Sequence, residues 1–288
     1  MMMHIAVLSA TAVSVATTVV SLTLAFGSAI ANGVGAAFQG AGAKKTENDT
    51  AGARGMLAIL RHPFSILGLF LDFVAWVLSR LALRSLPLFT VQTILAGSLA
   101  FTVVLSHRLL GTPKRHNDIY AIAATAVGLV LVGAAAESQL ADPPSVHFKV
   151  VLWALLPILS LAGLLCIERK VAPAVLGALG GTAFGCSALA ARAIVDVDGI
   201  MDLVQHPLVY VMLMNAGLGI IFFLRGVERG HVGSVTAAMW AAEIIPASIV
   251  GFVVLGDSVR PGWAVPAVVG MIITLAATIT LARPVEIP

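Results

Sequence analysis

The sequence predicts an all-α polytopic membrane protein of about nine transmembrane helices, arranged as an inverted repeat of five plus four. Three observations carry that expectation. The 288 residues are 59% hydrophobic and only 11% charged, against about 25% charged in a typical soluble domain. Apolar runs near 20 residues recur along the chain, each long enough to cross a bilayer as a helix. The ten-residue alternating segments of a transmembrane β-barrel do not occur.

Residues 5–43 carry no charge. One helix of that length would overrun a bilayer, so the first span is placed at about Val19–Gly42 and residues 1–18 read as an apolar leader. The leader lies at the interface, extends the helix, or forms a separate helix, although no Gly, Pro or charged turn divides the run. A secretory signal cleaved near Ala29-Ile30-Ala31 ranks lower, because its basic n-region is missing. The polar loop Lys44–Pro63 follows. Further spans are expected at Phe64–Leu86, Pro87–Leu110, Ile119–Ala136, Phe148–Ile167, Ala172–Val195, Pro207–Leu224, Val232–Leu255 and Trp263–Ala282. The repeat halves are then residues 19–168 and 171–282, with a tail at 283–288.

Loop charge orients the chain. With the N-terminus outside, inside loops carry twelve of the 17 basic residues, including Lys44, Lys45, Lys114, Arg115, Arg169 and Lys170. Arg80, Arg84, Lys149, Arg192 and Arg260 fall outside, together with Glu137, Asp142, Asp196, Asp198 and Asp202. The positive-inside rule therefore predicts a cytoplasmic-membrane protein with its N-terminus outside and its C-terminus inside. The net charge of +3 belongs to those loops and does not argue for nucleic acid. Cys166 and Cys186 lie inside apolar spans and form no CxxC.

The chain repeats itself. At an offset of 145, Leu110-Gly111 falls on Leu255-Gly256, Arg80 on Arg225, Arg84 on Arg229 and Ser98 on Glu243. After a three-residue shift, Gly128 matches Gly270. The two arginine pairs are expected on opposite membrane faces, as in an inverted repeat. The junction ALRSLPLFTVQTILAGSLAF, the helix end VVLSHRLLG, the glycine helix AVGLVLVG, and their counterparts ERGHVGSVTAAMWAAEIIPASIVGFVVLGD and VVGMIITLA resemble the EamA-like group of the drug/metabolite transporter superfamily. Leu255-Gly256-Asp257 is similar to that family's helix-ending Leu-Gly-Glu. The likeness covers roughly residues 19–282. Many members have ten helices; nine, with the first-span ending GVGAAFQGAGAKK, is similar to the superfamily's magnesium-transporter branch.

Glu243 is the first candidate site residue. It is the one ionisable side chain between His231 and Asp257, midway along an apolar run. A charge at that depth costs ~2.5–3.5 kcal/mol on insertion scales, so it faces protein, a cavity or a partner. Helical spacing puts Thr236, Trp240, Glu243 and Ala247 on one face. Asp72, inside the second span, is the second candidate for substrate or proton binding, with an interior salt bridge as the alternative. Asn32 shares a face of the first span with Ser28, Gly35 and Gln39; packing is favoured for Ser28 and Gly35, lining for Asn32. Asn215 lies mid-span in the seventh helix with the same ambiguity. Arg80 and Arg84 are expected to snorkel to headgroups. Pro157, Pro246 and Pro266 kink their helices or free carbonyls for ions.

No HExxH, GxSxG or Walker loop is present, and GALGGTAFG from Gly177 lies inside an apolar span, where it reads as packing. An enzyme is not expected, nor a cofactor. The expected function is secondary transport of a small metabolite or cation, magnesium among them, with proton coupling through Glu243. The alternative is a non-transporting scaffold or accessory subunit in which Glu243 joins helices. Membrane lipids and the substrate are the expected partners, and a homodimer is left open.

Overall fold

The computed structural model describes residues 2–46, 62–110, 116–169, 171–194, 197, 199–230 and 232–282. The tail at 283–288 and most of the Lys44–Pro63 loop lie outside the described residues. Every element is helical: α1 (Met2–Thr46), α2 (Pro63–Ala82), α3 (Leu88–Ala96), α4 (Ser98–Leu110), α5 (His116–Ala135), α6 (Val146–Glu168), α7 (Pro173–Arg192), α8 (Ile200–Gln205), α9 (Pro207–Arg229), α10 (Val232–Val254) and α11 (Ala264–Leu281). Among the described residues, nine helices are long and apolar enough to cross a membrane, counting α3 with α4 as one and omitting the short α8. Their outward faces carry exposed apolar side chains, Phe70, Phe73, Val130, Ile158, Val253 and Ile272 among them. Apolar surface on that scale suits a lipid environment.

α1 is continuous from Met2, so the apolar leader extends the first helix, one of the expected alternatives, and no separate helix precedes Val19. No Gly, Pro or charge lies between residues 5 and 26 to divide it. Two features differ from the sequence expectation. The third span is broken at Gly97, near its middle. There the Ala100 N–H bonds Gly97 O instead of Ala96 O, and Ala96 O accepts from Thr278 Oγ1 of α11 at 3.1 Å. Pro266 stands in the first turn of α11, where its missing N–H would have no partner anyway. Pro157 and Pro246 do lie inside α6 and α10.

The third and sixth spans form the interior, with 61% and 67% of an 18-residue apolar stretch buried in each against 22–33% in the others. Small residues explain how neighbours come so close to α7. Along GALGGTAFG, Gly177 meets the Val235 backbone, Gly181 that of Met239 and Gly185 that of Glu243, one contact per turn along α10. Gly180, on another face, meets Gly219 O of α9. This is small-residue packing, in which absent Cβ atoms let backbones touch. The α1–α2 seam is built alike: Gly35 and Gly68 face each other, and Ser28 Oγ donates to Ala75 O at 2.7 Å. Gly128 of α5 and Gly270 of α11 each stand against the other's backbone.

Both α2 and α9 begin with His-Pro. The Nδ1 atoms of His62 and His206 accept from the N–H groups of Phe64 and Leu208, each at 3.3 Å. Proline follows at the first helical position, where no N–H is needed.

Candidate functional site

Glu243 is 7% exposed and lies on α10 between two supports. Its backbone packs on Gly185 of α7. Its carboxyl group has the Gln92 side chain of α3 and the Arg80 guanidinium of α2 as its polar neighbours. Three spans thus meet around one side chain. Gln92 is itself buried, and its Oε1 has no hydrogen-bond partner. The Arg80 guanidinium stands over the Trp76 ring, 5.5 Å from its centroid, and its buried Nε is also unpaired. Arg80 is half-buried, with the Trp76 ring and Glu243 as its neighbours. An ionisable group at such a position is tolerated where opposite charge and polar groups face it, and Arg80 and Gln92 are the groups that face Glu243.

Thr236, Trp240 and Ala247 are buried with Glu243, as their shared helix face requires. Trp240 packs with Ala96 at the break in the third span, together with Met239 and Ile244. Ser98, the first residue after the break, donates to Asn32 Oδ1 of α1 at 2.9 Å. Asn32 thus attaches to the broken span. Asn215 is fully buried; its Nδ2 donates to Val211 O of its own helix, and its Oδ1 is unpaired. Asp72 belongs elsewhere. It is half-buried between α1 and α2, where Gln39 Nε2 donates to its Oδ2 and its Oδ1 is unpaired. Its partner is the amide on the neighbouring helix, and no Asp72–Arg80 ion pair forms.

A second polar cluster occupies the end of the bundle where α7 finishes. Arg192, 2% exposed, gives Nε and Nη2 to Asp257 Oδ1 at 3.0 and 2.8 Å. Its Nη1 donates to Leu83 O at 2.9 Å and its Nη2 also to Gln139 O at 3.1 Å. Asp257 Oδ2 accepts from the Leu88 N–H at 2.7 Å, capping α3. The sequence places Arg192 near the outer end of the sixth span and gives it no partner; its burial depends on one 65 residues away. Gln92 was legible by the depth argument that singles out Glu243, since it is the one amide in the third apolar run. Among the described residues, no group of three His, Cys, Asp or Glu could hold a metal ion.

No family model matches the chain, and no solved structure matches it. It is similar to an uncharacterized protein of Corynebacterium glutamicum, 28% identical over 242 residues, which cover 81% of this chain and 84% of that protein.

Proposed function

We propose that this protein is a secondary transporter of the drug/metabolite type, moving a small metabolite or cation across the cytoplasmic membrane with proton coupling through Glu243. The observation that carries the reading is the burial of Glu243 and Gln92, with Arg80 nearby and Trp240 of the Glu243 face in one apolar cluster with Ala96 at the broken helix. Ionisable groups at mid-depth and interrupted spans are recurrent features of transport sites. Glu243 holds or releases a proton as substrate arrives at the amide and guanidinium beside it.

The packing supports an inverted repeat. α1 runs antiparallel to α2 and parallel to α4; α7 runs antiparallel to α9 and parallel to α10. The His-Pro starts of α2 and α9 stand in matching places in the two halves. Gly128 and Gly270, equivalent by sequence, touch. The second reading, a scaffold, draws on the same cluster, because a buried carboxyl group set among three helices also serves as a structural joint.

Proteoliposomes containing a pH-sensitive dye separate the two. Challenged with a panel of small metabolites and with magnesium, wild-type protein should move protons with at least one compound. Glu243→Gln, which keeps size and hydrogen bonding, should insert normally and lose that signal by about tenfold or more. Asp72→Asn should be milder, since Asp72 lies apart from the cluster. A folded wild type that moves nothing supports the scaffold, and unchanged gradient-driven flux in Glu243→Gln removes the coupling role.

Orientation follows the basic residues, N-terminus outside and C-terminus inside. With Cys166 and Cys186 replaced, Asn48→Cys in intact cells should be shielded from an impermeant thiol reagent. Strong labelling there reverses the orientation.

A further inference from the structure

We infer that the Arg192–Asp257 pair is a gate latch, holding one end of the bundle shut over the Glu243 face and opening during the transport cycle. The inference rests on the transport reading. Its basis is how many separate segments converge on two buried side chains. Arg192 ends α7; its guanidinium bonds Asp257 after α10, Leu83 after α2 and Gln139 between α5 and α6. Asp257 in turn holds the first turn of α3 through Leu88.

Around this centre the connecting loops are laced together. Gln139 and Ser258 exchange two hydrogen bonds, Ser258 Oγ to Gln139 Oε1 at 2.7 Å and Gln139 Nε2 to Ser258 O at 3.1 Å. The Gln139 N–H bonds Ser85 O, the Asp142 N–H bonds Leu255 O, and the Ser138 N–H bonds Thr18 Oγ1. The end of every interior helix at this face is therefore tied, directly or through one loop, to a single ion pair.

Ion pairs suit this use. Both members are desolvated when closed, and both regain water when apart, so the open and closed arrangements differ by less than the gross attraction suggests. A hydrophobic plug has no such compensation. Exposed Ser258 and half-buried Gln139 show where water would first enter.

The test measures access directly and does not need a substrate. In a background of Cys166→Ser and Cys186→Ala, Ala247→Cys supplies a buried reporter one turn from Glu243. An impermeant thiol reagent is applied to right-side-out and to inside-out vesicles. On vesicles exposing the latch face, Arg192→Gln with Asp257→Asn should raise the labelling rate by about tenfold or more, because the open state is no longer a minor population. In the second arm the ion pair is kept, and Gln139→Cys with Ser258→Cys are oxidised to a disulfide. The residual labelling at residue 247, read by peptide mass spectrometry apart from residues 139 and 258, should then fall to background and return on reduction. Labelling that ignores the disulfide overturns the latch, even if the neutralised variant fails to fold. Labelling that responds as expected while no panel compound is transported keeps the latch and counts against the transport reading alone.

Discussion

Asp257→Ala is expected to destabilise the protein by about 3–5 kcal/mol, the loss usual when one partner of a buried ion pair is removed. The variant leaves the Arg192 guanidinium in the interior with only two carbonyls for company. It also strips the Leu88 N–H of its acceptor at the start of α3. The measurement is the unfolding midpoint of the detergent-purified protein. Arg192→Met with Asp257→Ala should recover part of the loss, because no unpaired charge then stays buried. An Asp257→Ala midpoint equal to wild type would show that the pair is solvated.

Gly181→Leu comes next in size. Even a Cβ at Gly181 would stand 2.0 Å from Met239 O and 2.8 Å from its carbonyl carbon. Those atoms belong to a helix backbone, so no rotamer relieves the clash and α10 must move off α7. Overpacking of this kind costs about 1–3 kcal/mol for small insertions, and a leucine exceeds that range. Gly181→Ala should lie within it. Gly217→Ala is the control, since nothing lies within 4 Å of the added Cβ and alanine is the better helix former. Equal unfolding midpoints for Gly181→Ala and Gly217→Ala would remove the close packing of α7 on α10.

What the sequence made legible follows from what each feature depends on. Helix positions depend on local hydropathy, and the expected spans agree with the observed ones within a few residues at most ends. The seventh runs on to Arg229, past the expected Leu224, because Arg225 and Arg229 continue the helix as exposed last turns. Glu243 was legible because an isolated charge in an apolar run must be accommodated somewhere. That Gln92 and Arg80 are its neighbours was not, since they reach it from other spans. The break at Gly97 left no trace either: glycine is common in such helices, and both sides of it are apolar. α8 is too short to rise above its loop. The closeness of α7 to its neighbours was legible in kind from GALGGTAFG, but not which glycine meets which helix.

The break at Gly97 makes the third span two rods with different mountings. α3 is fastened at Leu88 to the carboxylate of Asp257, and so to the cluster at the end of the bundle. α4 is fastened to α1, through Ser98 to Asn32 and through Thr102 to Gly33 O at 3.1 Å. A displacement of Asp257 would pull on the first rod and leave the second where α1 holds it. The two rods meet at Gly97, next to Ala96, which shares an apolar cluster with Trp240 of the Glu243 helix. A change at the Asp257 end would therefore have a path to that helix that does not run through α4.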